Sequence, residues 1–263
     1  MPFFQTHLDF DPARDGFSFP NTFRWTDTDL SFLSQWLRPV TLPLATALPA
    51  AGAALTGGWR GFAAGTATGA GLVRVGFGQG LVRGLAQRWP SFGLCGGMAL
   101  VAAQRWPHRS GLPTSELQQE PMRRMLWRQQ VRTLRASGAT FLRYWLGLRL
   151  SGRAAFGSDL LREWKTIREQ IDAGRPVVLG LVGDAPDPFS QHQVLAYGYA
   201  GTDDRGTITA YDPNSPGVER TISFTVAGDY ARITTDIPTG PTASGYHIST
   251  RPSRLDMFFA IET

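Results

Sequence analysis

The sequence predicts an α+β fold, with helices in the first part of the chain and an antiparallel sheet in the second. Apolar residues recur at helical spacing between residues 91 and 176, and from residue 176 onward short apolar runs alternate with turns. Apolar residues make up 42% of the 263 positions. That content can bury the core of one domain with insertions, or of two small domains.

Composition divides the first third of the chain. Residues 1–40 mix aromatic residues, Asp and Pro and predict a packed, turn-rich segment with a short helix over 27–37. Residues 41–86 are rich in Ala, Gly and Thr, and their glycines recur every four residues, which predicts a helical insertion. This insertion fits a soluble hairpin or a flexible segment. Small residues at this spacing also pack membrane helices, so lipid contact through residues 42–86 stays open.

Residues 87–263 are predicted to form the main domain. A first helix begins near Cys95, a second helical stretch covers 116–149 as one or two helices, and a third covers 157–176. Five strands are then expected, at 176–182, 192–200, 207–212, 220–226 and 256–262. The second and third strands flank the turn "GTDDRG", so they should pair as a hairpin.

Charge and composition limit the function classes. The net charge is +5, Lys165 is the only lysine, and arginines are dense between Arg123 and Arg168. That cluster is typical of a solvated helix face, although it could also meet an acidic partner or a membrane surface. No nucleic-acid-binding motif is present, so nucleic acid is not an expected partner. The N-terminus lacks the pattern of a signal peptide, which favours a cytoplasmic location unless export uses another route.

A single cysteine, Cys95, excludes an intramolecular disulfide and a cysteine-based zinc site, and neither a metal nor a cofactor is expected. At a helix N-terminus the dipole and free N–H groups favour the thiolate, and the two glycines after Cys95, Gly96 and Gly97, leave those N–H groups accessible to an oxyanion. His192 begins an apolar strand, and the hairpin returns the chain so that Asp212 or Asn214 can reach it.

These residues supply a nucleophile, a base and an orienting group. Taken singly, each feature more often has a structural role: a small core cysteine, a satisfied polar histidine and an ordinary Asp-Pro-Asn turn. Only their combination favours catalysis.

The motifs "GLCGGM" at 93–98, "HQVLAYGY" at 192–199 and "YDPN" at 211–214 resemble those of the papain-like cysteine peptidase clan. Within the clan they resemble the double-glycine leader peptidases and related bacterial proteins. The resemblance implies a papain-like fold, with the nucleophile on a central helix packed against a C-terminal antiparallel sheet. It also implies a Cys95–His192–Asp212 triad acting on a peptide or another amide.

The expected oxyanion donor departs from that family pattern. Papain-like enzymes carry a glutamine six residues before the cysteine, where this chain has Trp89. Gln87 and Asn21 are the candidate replacements.

Three functions therefore stay open. The first is a thiol hydrolase, either a peptidase or an amidase. The second is a catalytically weak or inactive scaffold, a bacterial effector that binds a membrane or a partner through the glycine-rich segment. The third is a thiol acyltransferase. The sequence does not define the substrate or the oligomeric state.

Overall fold

A computed structural model describes residues 2–35, 87, 91–108, 120–151, 156–184, 191–238 and 254–262. The glycine-rich insertion predicted at 41–86 lies outside these residues. The chain divides into two compact units, Met1–Phe23 together with Phe92–Thr263, and Arg24–Ser91. The first unit thus combines the start of the predicted N-terminal segment with the main domain, because the first strand pairs with the central sheet.

Five helices are described. They are α1 (Pro12–Asp15), α2 (27–35), α3 (Cys95–Arg105), α4 (Glu120–Ser151) and α5 (Gly157–Asp172), and a short 3-10 turn (Trp106–His108) follows α3. The helical stretch predicted at 116–149 is one continuous helix. Arg124, Arg128, Arg132 and Arg135 are all exposed on α4. This is the solvated helix face that the charge pattern favours.

Seven strands form one antiparallel sheet. They are β1 (Phe4–His7), β4 (Val177–Gly183), β5 (His192–Gly201), β6 (Arg205–Tyr211), β7 (Glu219–Ala227), β8 (Tyr230–Thr235) and β9 (Leu255–Ala260). Their order is β8-β7-β6-β5-β4-β9, and β1 pairs with β5 beyond the end of β4. Two short strands, β2 (Phe23–Arg24) and β3 (Ser91–Phe92), pair separately.

All five predicted strands are present, whereas β1 and β8 of the main sheet and the two-residue strands β2 and β3 were not predicted. β1 is only four residues long, and β8 alternates buried residues with exposed polar ones at the margin of the sheet. Strands this short contain too few buried apolar residues for their alternation to be recognised in the sequence. They are stabilised by pairing with a neighbouring strand of the sheet.

The core lies between the sheet and its helices. Trp164 of α5 is fully buried, and its ring meets Tyr199 and Phe224 edge-on at centroid distances of 5.4 and 5.0 Å. Helix α3 packs against α4 and against strands β4 and β5. The first residue of α3 therefore lies beside the sheet.

The hairpin register determines what surrounds the start of β5. Leu195 of β5 pairs with Tyr211, the last residue of β6. Because the strands are antiparallel, the residues that follow Tyr211 lie opposite those that begin β5. The "DPN" turn therefore lies against His192.

Candidate active site

Cys95 is the first residue of α3, and its side chain is partly exposed. The preceding residue, Leu94, occupies the N-cap position with φ −120° and ψ 44°, and it caps the helix with no side-chain hydrogen bond. The thiol thus lies at the positive end of an 11-residue helix, where a thiolate is stabilised.

The glycines after Cys95 allow α3 to pack closely against its neighbours. A Cβ on Gly96 would lie 1.7 Å from Oε1 of Gln193, and one on Gly97 would lie 2.3 Å from the carbonyl oxygen of Leu126. The Gly97 N–H also donates to Oε1 of Gln130 at 2.9 Å. The expectation that these glycines leave open N–H groups thus fails at Gly97, where close helix packing is the physical reason for the small residue.

His192 opens β5, and its side chain is 17% exposed. Its Nε2 lies 2.6 Å from Oδ1 of Asp212. The His192 side chain also interacts with the Cys95 thiol through charge and a hydrogen bond. Since Asp212 engages Nε2, Nδ1 is the ring nitrogen left for the thiol. The structure thus brings together the three residues of the predicted triad.

Asp212 is fully buried and is held in one orientation by its own turn. Its Oδ1 accepts the Asn214 backbone N–H at 2.8 Å, and its Oδ2 accepts the Ser215 hydroxyl at 3.1 Å. An Asp side chain that accepts the backbone N–H two residues later forms an Asx turn, which is a common turn geometry. A buried carboxylate with several donors can orient an imidazole without moving itself.

Asn214 covers the face of the imidazole. Its Nδ2 lies 3.0 Å from Nε2 and 3.4 Å from Nδ1 of His192. An atom in line with one ring nitrogen, in the ring plane, would be far from the other. The similar distances therefore place the amide over the ring, and Asp212 is the in-plane partner. The sequence left Asp212 and Asn214 as alternatives, and both reach His192 in different ways.

The electrostatics of this cluster favour an ion pair. Burial by itself raises the pKa of the Cys95 thiol, but the charge and hydrogen bond of His192, with N–H groups of Gln193 and Gly96, outweigh it and lower that pKa. Burial lowers the pKa of His192, whereas Asp212 and Cys95 raise it to about 9. The two directions agree, since each describes a thiolate stabilised by an imidazolium.

The candidate oxyanion donors lie in different surroundings. Gln87 is an exposed helical residue of the second unit. Asn21 is only 3% exposed, and its Oδ1 accepts the Leu94 N–H while its Nδ2 donates to Oδ1 of Asn214 at 3.3 Å. The Gly96 N–H is directed to the thiol. The first N–H groups of α3 are those of Cys95, Gly96 and Gly97, and the last two are engaged by the thiol and by Gln130. Within the described residues, the Cys95 N–H is therefore the one left for an oxyanion.

Three further polar residues support the site and are missed by the sequence analysis. Gln193 donates its N–H to the thiol, Gln130 accepts from α3, and Ser215 holds Asp212. Gln193 and Ser215 lie close in sequence to predicted site residues, and that proximity is the signal that points to them. Gln130 lies on a helix with no motif, so only the packing of α4 against α3 reveals it.

No group of three or more His, Cys, Asp or Glu residues in the described ranges could hold a metal ion. Among the described helices, none combines the length and hydropathy needed to cross a bilayer.

A helix-start thiol, an imidazole and a buried carboxylate in contact are the three kinds of group that nucleophilic cysteine chemistry uses. Residues 128–236 match the model of the Peptidase_C39 like family, which supports the papain-like cysteine peptidase clan and suggests a cysteine peptidase-like function. The matched span contains His192, Asp212 and Asn214, and it begins after Cys95. No curated protein and no solved structure matches the chain.

Proposed function

We propose that the chain is a papain-like thiol hydrolase, a peptidase or amidase that uses Cys95, His192 and Asp212. The observation that carries the proposal is the chain of contacts from the thiol through His192 to a fully buried carboxylate, with Nε2 and Oδ1 2.6 Å apart. The family match supports the peptidase class and its peptide substrates. The proposed fold is papain-like, with α3 as the central helix and the sheet as its C-terminal support.

The proposed reaction has two half-reactions. The Cys95 thiolate attacks the amide carbonyl carbon, and the resulting oxyanion is held by the Cys95 N–H at the start of α3. The His192 imidazolium protonates the leaving amine, so the C–N bond breaks and a thioester remains. His192, now neutral, takes a proton from water, whose oxygen attacks the thioester and releases the acid and the thiolate. Asp212 keeps the imidazole oriented through both steps.

The first experiment is hydrolysis of fluorogenic peptide amides by the purified chain. Two substrate sets, one ending in Gly-Gly and one ending in bulkier residues, test whether the resemblance to the double-glycine leader peptidases extends to cleavage after Gly-Gly. We expect Cys95→Ala and His192→Ala to lower kcat by at least about 1,000-fold, since each removes a member of one catalytic unit. His7→Ala is the control, because His7 is an exposed histidine paired with Glu219. Equal turnover by all four proteins would refute the proposal.

Product analysis separates the alternatives that the sequence leaves open. With a peptide amine present as acceptor, an acyltransferase gives mainly the transfer product, whereas a hydrolase gives mainly the acid. A chain with a reactive thiolate but without turnover on any substrate would favour the inactive scaffold.

Contact of residues 42–86 with lipid is a separate prediction. It is tested by liposome co-sedimentation of the full chain and of a variant that lacks this segment. A cytoplasmic location also stays a prediction.

A further inference from the structure

We propose that Asn21 is a positioning residue that joins the segment carrying the thiol to the turn carrying its partners. This inference rests on the proposed function, because it assigns Asn21 to the same Cys95–His192–Asp212 site. It differs from the expected role of oxyanion donor, in which the Asn21 amide would contact the substrate.

The contacts of Asn21 reach two distant parts of the chain. On one side, its Oδ1 accepts the N–H of Leu94, the residue immediately before Cys95. On the other side, its Nδ2 donates to Oδ1 of Asn214 at 3.3 Å, and its backbone N–H donates to the carbonyl of Pro213 at 3.0 Å. One buried residue thus links both halves of the site.

The link to Leu94 holds the backbone immediately before the thiol. Leu94 has no side chain that can bond the first turn of α3, and a helix start has N–H groups without intrahelical partners. Asn21 satisfies the Leu94 N–H from another segment. Gly93 makes this approach possible, since a Cβ there would lie 2.6 Å from Nδ2 of Asn21. The position of the thiol therefore depends on a residue 74 positions earlier in the sequence.

The link to Asn214 determines which end of that amide faces the imidazole. Because Asn214 Oδ1 accepts from Asn21, its Nδ2 is the atom directed over His192. The Pro213 contact holds the same turn, whose first residue is the buried Asp212. Without Asn21, the start of α3 and the turn that carries Asp212 and Asn214 would no longer be held at a fixed distance from each other. The thiolate–imidazolium pair, which lowers the pKa of Cys95, would then be weaker.

The test uses iodoacetamide alkylation followed by intact mass, measured from pH 5 to 10. Cys95 is the only cysteine, so its reaction is read without interference. For Asn21→Ala we expect the rate at pH 6 to fall about tenfold or more, with the midpoint of the pH profile moved toward that of a free thiol. Asn21→Asp keeps the acceptor for Leu94 but loses the donor for Asn214, so it should give an intermediate rate if Asn21→Ala does not fold.

Two controls separate positioning from loss of stability. Thr207→Ala removes a hydroxyl that bonds Ser223 at 2.9 Å in the sheet, and it should keep the wild-type profile even where its Tm falls equally. In an Asn214→Ala background, Asn21→Ala should lower the rate less than it does in the wild type, because one of its two links is already absent.

The outcomes distinguish this inference from the proposed function. An unchanged pH profile in folded Asn21→Ala, with peptide hydrolysis intact, overturns the role of Asn21 and leaves the hydrolase standing. A shifted profile in a chain whose wild type hydrolyses no peptide supports the positioning role and removes the hydrolase. A wild-type Cys95 that reacts as slowly at pH 6 as free cysteine overturns both.

Discussion

Replacing Asp212 with Asn tests whether the buried carboxylate creates the reactive thiolate. The substitution keeps the size of the side chain and removes its charge at a fully buried position, 2.6 Å from Nε2 of His192. The first expected effect is a lower pKa for His192, because its main charge partner is lost. The second is a higher pKa for Cys95, because a neutral imidazole no longer stabilises the thiolate.

The size of the first effect follows from the pKa of about 9 that the site gives His192. At pH 7.5 such an imidazole is about 97% protonated, whereas one with the ordinary pKa of about 6.5 is about 10% protonated. Without Asp212, burial still lowers the pKa of His192 and the Cys95 thiolate still raises it, so the ordinary value of about 6.5 serves as the reference for the variant. A free thiol is about 9% ionised at pH 7.5. We therefore expect the alkylation rate of Asp212→Asn at pH 7.5 to fall by up to about tenfold, roughly 1.4 kcal/mol.

The assay is iodoacetamide alkylation at pH 7.5 and pH 9, with circular dichroism to confirm folding. Asp203→Asn is the control, since that carboxylate is 59% exposed and pairs with Arg168 at the surface. It should react like the wild type. The rates of wild type and Asp212→Asn should converge at pH 9, where most thiols ionise. If folded Asp212→Asn keeps the wild-type rate at pH 7.5, the carboxylate does not set the ionisation state of the thiol.

The remaining predictions concern pH, packing and stability. kcat/KM should rise with pH as Cys95 ionises and fall above about pH 9 as His192 loses the proton that the leaving amine needs; continued activity above about pH 10 would contradict this assignment. Gly96→Ala should lower the rate of Cys95 alkylation, because its Cβ would lie 1.7 Å from Oε1 of Gln193 and would displace the residue whose N–H contacts the thiol. Its control, Gly138→Ala, meets nothing within 4 Å and should raise the free energy of unfolding by up to about 1 kcal/mol. Trp164→Ala should lower that free energy by about 3–5 kcal/mol in urea denaturation, and a loss below about 1 kcal/mol would show that the core tolerates the cavity.

Much of the main architecture is readable from local patterns. The helix at 157–172 follows from its buried stripe at helical spacing, and Gly174, which has φ 75°, marks its end. The hairpin follows from two apolar runs around a turn. These signals are strong because each lies within one continuous segment and repeats the period of its element.

The site was predictable only where sequence neighbours are also neighbours in space. His192 and Asp212 are linked by a hairpin, whose register can be foreseen from the two strands. Asn21 and Gln130 reach α3 from segments with no local relation to it. Their contacts depend on how the elements pack, and no periodicity encodes that.

By itself, the sequence determined the fold class, the lone thiol at a helix start and the order of the motifs, because each depends on residue type and short-range spacing. The tertiary structure alone decided that Asp212 takes the in-plane position on the imidazole while Asn214 covers its face. It also decided that the glycines after Cys95 serve packing and that Asn21 connects the two halves of the site. The physical reason is that these contacts depend on how segments far apart in the chain pack against each other. A shift of a few tenths of an ångström in that packing changes which atoms meet.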